Sequence, residues 1–289
     1  MDIAALEAFV AVADAGSFSR GAEHVHLTQP AISKRIAALE DELGARLFDR
    51  SGRQAQLTHA GRELLAQARA ILSEVSEAKR RIANLAGTVS GPLSLGTSYH
   101  IGLHRLRPAL SAFTRAYPEV HLDLRFMDSE AACRAVAERE LELAVVTLPT
   151  APIARLRLDT LWDDPLDVVV SPHHPLAAAT TVVPDDLPRH PAILPVAGTY
   201  TRELIVTALS SVRAKLQIGI ETNNLDVIKM LVAIGLGWSA LPRSLIDEEL
   251  KVVHIEGIAI RRKLGVVTPV QRSLSNAAQA MIEILGRTT

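Results

Sequence analysis

The stretch LTQPAISKRIAALEDELG, Leu27–Gly44, decides how the first part of this chain folds. Thr28 is a good helix N-cap, because its hydroxyl accepts a bond from a free amide of the first turn. Pro30 stands inside that turn, where a missing N–H costs little. Ile32, Ile36 and Leu39 recur at helical spacing, and Gly44 suits the stop. Working back, Ile3, Leu6, Phe9, Val10 and Ala13 predict a helix ended by Gly16, and Ser17 or Ser19 caps a short second helix through about His24. Two short helices joined by a tight turn make a helix-turn-helix. Working forward, Arg46–Thr58 places a Ser51–Gly52 turn between two short extended stretches, a hairpin set as a wing after the second helix of the motif.

Beyond the wing, Leu57, Gly61, Leu64, Ala68, Ile71, Val75, Ala78, Ile82 and Leu85 alternate four- and three-residue steps. That is a coiled-coil seam of about four heptads, weakened at Gly61. A helix of roughly 30 residues spans about 45 Å and outreaches so small a domain. The seam therefore predicts pairing with a second copy through Leu64, Ala68, Ile71, Val75 and Ile82. The alternative is an amphipathic helix packed on its own domain.

The whole chain has 289 residues, 48% of them hydrophobic, with a net charge of −1. That is globular composition, and the length suits about two domains. The single cysteine, Cys133, excludes an internal disulfide framework and a cysteine-rich metal site. No run approaches the roughly 18 apolar residues of a membrane helix, and Met1–Asp2 opens no signal peptide. A soluble, cytoplasmic protein with no membrane partner is expected. Residues 1–90 hold one proline and residues 91–289 hold fourteen, which separates a helical N-terminal region from the rest of the chain. The domains expected are 1–58, a linker helix and hinge over 59–90, and 91–289.

After residue 91 the patterns Leu93–Ser98, Val120–Phe126, Leu143–Leu148, Leu166–Val170, Gln217–Ile220 and Leu264–Thr268 read as strands. Helical stretches at about 101–116, 129–139, 202–213 and 224–234 fall between some of them. Such alternation predicts an α/β fold with largely parallel sheets.

Several motifs quoted from this chain resemble LysR-type transcriptional regulators: Leu6–Ser19, Leu27–Ser33, Leu39-Glu40, Leu43-Gly44, Leu47–Arg50 and Leu57-Thr58 with Gly61. The resemblance is dense over the first 60 residues, and the order and size of the remainder fit. It implies an α + α/β protein: a winged helix-turn-helix, a linker helix that dimerises, and a two-subdomain effector domain like a type 2 periplasmic binding protein. On that pattern subdomain I comprises about 91–163 and 265–289, and subdomain II about 164–264. Three positions depart from the pattern. Gly21 stands where alanine is usual, His26 occupies the interhelical turn, and His59 replaces a common acidic residue.

In the major groove the third helix would present its first turns to base edges. Gln29 can pair with adenine, Ser33 can reach several edges, and Lys34 or Arg35 can meet guanine or phosphate. Thr28 and Pro30 open the helix, whose free amides suit a phosphate; Arg50 and Arg53 on the wing could reach phosphate or the minor groove. Residues 1–90 hold eleven basic and eleven acidic residues, so charge count alone says nothing for DNA. A dimer would match an inverted-repeat operator on double-stranded DNA, and the family implies a dimer of dimers.

Ligands of open α/β folds sit beyond the carboxyl ends of strands. Hydroxyls cluster there: Thr97, Ser98 and Tyr99, then Ser129, then Thr147, with Thr199, Tyr200, Thr201 and Asn223 opening later helices. They predict a small polar or anionic effector; each hydroxyl alone reads equally well as a helix cap. Gly235-Leu-Gly237-Trp-Ser-Ala240 matches a dinucleotide pattern only loosely, because a helix precedes it, and a tight turn lining the cleft is expected instead. His100 and His104 have metal spacing but no obvious third ligand, and Cys133 reads as a small buried apolar residue. No metal, cofactor or catalytic constellation is expected. The reading is a ligand-responsive DNA-binding regulator and not an enzyme. The alternative is a small-molecule α/β enzyme or binding protein with an N-terminal helical assembly module.

Overall fold

The computed structural model describes residues 1–49, 55–85, 87–179 and 182–288, and falls into two compact units, Met1–Ala86 and Gly87–Thr289. The first holds α1 (Ile3–Ala15), α2 (Phe18–His24), α3 (Gln29–Leu43), β1 (Phe48–Asp49), β2 (Gln56–Leu57) and α4 (His59–Leu85). Local chemistry sets its helix ends. Asp2 accepts the Ala5 N–H at 2.6 Å, and Gly16 stops α1 in the left-handed region at φ 61°. Thr28 accepts the Ala31 N–H at 3.4 Å, and Gly44 stops α3 at φ 63°. Ser17 precedes α2 without a side-chain cap bond.

Leu6, Phe9, Val12, Ile32, Ile36, Leu39 and Phe48 form the core of this unit. Gly21 has a structural reason: a Cβ there would lie 2.7 to 2.9 Å from Val12 atoms. Its loss of helix propensity is the condition for α1 and α2 to touch. The buried Glu40 carboxylate ties α3 to β1 by accepting the Leu47 N–H at 2.7 Å and the Phe48 N–H at 3.2 Å. β1 pairs antiparallel with β2, Phe48 opposite Leu57. The Ser51–Gly52 turn, Arg50 and Arg53 lie outside the described residues.

α4 divides its apolar seam. Leu64, Ala68 and Ile71 pack on the core of their own unit, with Ala68 fully buried, and Arg69 pairs with Asp14 of α1 at 2.6 Å. Val75 is half-buried and Ile82 is 70% exposed.

The second unit runs β3 (Gly91–Thr97), α5 (Tyr99–His104), α6 (Arg107–Ala116), β4 (Val120–Phe126), α7 (Ser129–Ala137), β5 (Leu143–Thr147), β6 (Leu156–Val170) and β7 (Ala192–Leu194). It continues with α8 (Tyr200–Ala208), β8 (Ile218–Glu221), α9 (Leu225–Ala233), β9 (Ser239–Pro242), β10 (Lys251–Val253), β11 (Ile260–Pro269) and α10 (Asn276–Arg287). Among the described residues one sheet has the order β10-β6-β11-β5-β3-β4, with β9 also on β6.

The expectation of largely parallel sheets needs correction. β3 is parallel to β4 and β5, and β7 to β8. β11 is antiparallel to both β5 and β6, and β6 to β9 and β10. The cause is the pair of long strands β6 and β11, one leading from the first apolar core to the second and the other leading back. The first core gathers Leu93, Leu95, Phe113, Val145, Leu264 and Met281; the second gathers Leu166, Val168, Leu187, Trp238 and Ile260. The β11–β6 register slips at Leu264/Gly265, where a Cβ on Gly265 would meet the Asp159 carbonyl at 2.2 Å. β6 starts ten residues earlier than its apolar run at Leu166, because Asp159, Asp163 and Asp164 interrupt the pattern. The helix expected over 101–116 is two helices, α5 and α6, with Pro108 in the first turn of the second. The one expected over 202–213 begins at Tyr200 and stops at Ala208.

Candidate functional site

On α3 the apolar face is turned inward, and the start of the helix is left open. Thr28, Gln29, Pro30 and Lys34 are exposed, and Ser33 and Arg35 half-buried. Gln29 Nε2 donates to Ser33 Oγ at 3.2 Å, one helical turn on. These are side chains able to read base edges at the exposed N-terminal end of a helix, which is the geometry of a recognition helix.

In the second unit a small cleft, open to solvent, lies beyond the carboxyl ends of β3 and β5. Ser98, Tyr99, Ser129 and Thr147 line one side, and Thr199, Thr201 and Asn223 the other. Two residues of the sequence cluster are not there. Thr97 is buried, with its hydroxyl donated to the Val145 carbonyl at 2.8 Å. Tyr200 gives its backbone N–H to Glu130, and its side chain packs against the apolar cluster that holds Cys133. Burial pushes the Cys133 thiol up to about 11, so it stays protonated in its apolar surroundings.

The hydroxyls in the cleft differ in how far they are committed. Thr199 caps α8, accepting the Arg202 N–H at 3.3 Å and donating to the Val196 carbonyl at 2.9 Å. Ser129 Oγ accepts the Thr147 N–H at 3.2 Å. Ser98 sits at the N-cap of α5 without a side-chain cap bond. Asn223 bridges the cleft: its Nδ2 donates to Asp128 at 2.9 Å, and its Oδ1 accepts the Val196 N–H at 2.9 Å.

The floor holds two side chains that sequence reasoning missed as ligand groups, His100 and Arg262. Arg262 Nε donates to Asp164 at 2.7 Å, and Arg105 donates to the other oxygen of the same carboxylate at 2.9 Å. Arg262 Nη1 reaches Thr201 Oγ1 at 3.3 Å. Its Nη2 finds no partner among the described residues, and neither ring nitrogen of His100 does. Burial, and then the Arg262 charge, pull the His100 imidazole down to about 3, so it is neutral at physiological pH. The His104 ring lies tilted beside it, with ring centres 4.9 Å apart, and no cluster able to hold a metal occurs among the described residues. The signal for Arg262 was in the strand pattern: it falls in phase with Ile260 and Leu264, a charge at an inward position. Asp128, Glu130, Pro195 and Leu225 also line the cleft.

The Gly235–Ala240 segment does not line the cleft, contrary to expectation. Gly235 turns the chain out of α9 at φ 87°, and Gly237 is pressed on β7's approach, where a Cβ would meet the Pro191 carbonyl at 2.2 Å.

A winged helix-turn-helix carried on one chain with an α/β unit that holds a polar cleft defines a DNA-binding regulator with a ligand domain. Comparison with known proteins gives its kind. The model for "Bacterial regulatory helix-turn-helix protein, lysR family" matches residues 3–62, and that for "LysR substrate binding domain" matches residues 86–289. A probable RuBisCO transcriptional regulator of Synechocystis is 32% identical over 282 residues, which cover 94% of this chain and 82% of that protein. Full-length CbnR, solved with its target DNA, superposes with a TM-score of 0.69 at 20% identity over 100% of both chains. The regulatory domain of CcmR from Synechocystis PCC6803, solved with 2-PG, has a TM-score of 0.62 at 24% identity, covering 69% of this chain and 98% of that one. The chain belongs to the LysR family of transcriptional regulators. No helix among its described residues is long and apolar enough to cross a membrane.

Proposed function

We propose that this regulator reads an inverted-repeat operator on double-stranded DNA through Thr28, Gln29, Pro30, Ser33, Lys34 and Arg35, and changes its grip when a small polar or anionic metabolite enters the cleft of its second unit. The observation that carries the reading is the exposed start of α3, with Gln29 and Ser33 one turn apart on the open side of a buried helix. Arg50 and Arg53 belong to the proposed interface from their place in the sequence between β1 and β2. CbnR on its DNA and CcmR with 2-PG perform, in two relatives of the same fold, the two tasks assigned here to α3 and to the cleft. The protein acts in the cytoplasm, as a dimer paired through the outer half of α4, with Val75 and Ile82, and further as a tetramer. The domains are 1–58, 59–90 and 91–289. Subdomains of about 91–163 with 265–289 and of 164–264 move about β6 and β11 near the Leu264/Gly265 slip. An effector that binds one arrangement more tightly shifts the population toward it, and only that difference drives the response.

Electrophoretic shift of the DNA upstream of its own gene, across a salt series, tests the reading. Phosphate contacts make binding fall steeply with salt. Gln29→Ala should lose about 1–3 kcal/mol of discrimination at one base position, whereas Lys34→Ala should weaken all sequences alike if it meets phosphate. Shifts by both variants at parental concentration and with parental sequence preference would remove α3 from the interface.

A further inference from the structure

We propose that Arg262 is the anion-binding group of the cleft and that the effector is a small hydroxylated monocarboxylate, with its single acid group on Arg262 Nη2 and its uncharged polar end toward Thr199 and Asn223. This rests on the reading of the cleft as the effector site.

Arg262 is only 3% exposed, yet one of its two terminal nitrogens has no partner among the described residues. A buried cationic donor left unpaired is costly, so a site that keeps one is built to be completed by an anion. The charge count sets how much anion. Asp164 is shared by Arg105 and Arg262, so two cations meet one carboxylate and one positive charge is left over. His100 adds none, because it is neutral. One carboxylate balances this buried cluster; the other two carboxylates of the cleft already accept hydrogen bonds, Asp128 from Asn223 Nδ2 and Glu130 from the Tyr200 N–H.

The rest of the lining argues the same way. Neutral His100 offers one donor and one acceptor, neither engaged, which together suit a carboxylate oxygen and a neighbouring hydroxyl. Asp128 and Glu130 line the same cleft, and a second anionic group on the ligand would face them. Like charges set close together reject such a ligand. Ser98, Thr199 and Asn223 can instead exchange hydrogen bonds with hydroxyls.

The test is isothermal titration of the full-length protein with a fixed panel: glycolate, glycerate and gluconate; succinate and malate; inorganic phosphate; and glycerol. At least one hydroxylated monocarboxylate should bind, and the dicarboxylates, phosphate and glycerol should bind at least about tenfold more weakly. Arg262→Met should weaken the best ligand about 10- to 100-fold, the loss of one charged hydrogen bond. His100→Asn should give a smaller loss, and it leaves the Arg105–Asp164–Arg262 cluster intact, so it carries the test if Arg262→Met does not fold. The proposal is overturned if no hydroxylated monocarboxylate binds, if a dicarboxylate or phosphate binds more tightly, or if both variants bind as the parent does. Thr199→Val with Asn223→Ala separates the two levels of the reading. If that double variant loses a ligand which the floor variants keep, the cleft stands as the effector site and only Arg262 is misassigned. If it too keeps the ligand, the cleft reading falls.

Discussion

Replacing His100 with glutamine should flatten the acid side of the second unit's stability profile. In the folded protein the imidazole is held at about 3, against 6.5 for the free side chain. Between those values the unfolded chain takes up a proton that the folded chain refuses. The stability is therefore complete above about pH 6.5 and falls as the pH drops toward 3. With 1.36 kcal/mol per pH unit, moving from about pH 7 to about pH 5 costs about 2 kcal/mol through this one residue. Burial is the first cause; of the charged neighbours, Arg262, His104 and Arg105 reinforce it, and Asp164 opposes it. Both tryptophans, Trp162 and Trp238, lie in Gly87–Thr289, so tryptophan fluorescence in a urea titration reports this unit alone. Parent and His100→Gln are compared at the two pH values. The variant should lose about 2 kcal/mol less than the parent over the interval. Equal losses would mean that His100 takes up its proton as readily folded as unfolded, and the description of the cleft floor as a neutral imidazole beside a free guanidinium edge would be wrong.

Glu40→Ala should leave the Leu47 and Phe48 amides buried without an acceptor, at about 1–3 kcal/mol; faster hydrogen exchange over 45–49 checks this, and unchanged exchange there would show that Glu40 does not hold α3 to the wing. Ile82→Asp places a charge on the exposed outer half of α4 and should weaken self-association. Sedimentation velocity reads the effect, and a variant that pairs as tightly as the parent moves the interface elsewhere.

The first unit was legible because its determinants are local. Thr28, Gly16 and Gly44 set helix ends by their own chemistry, and the apolar residues repeat within a few turns. Gly21 was legible only as a weakness, since the reason for it is Val12 on another helix. The seam of α4 was legible as a covered helix face and not as to what covers it: Leu64, Ala68 and Ile71 pack on the core of their own domain. In the cleft, hydroxyls at strand ends could be picked out one by one. Thr97 looks the same as Ser98 in sequence, yet the strand pleat alternates side chains, and Thr97 falls on the inward side, bonded to Val145.

By itself the sequence determined the helix-turn-helix, its caps, the long helix after the wing and the general place of a polar site, because each follows from residue type and short-range spacing. The tertiary structure alone decided the mixed sheet, since pairing direction depends on where β6 and β11 travel and not on their composition. It alone also brought His100 from α5, Asp164 from β6 and Arg262 from β11 to one floor. A surplus buried charge is a property of three side chains at once, distant along the chain, and no window of sequence contains it.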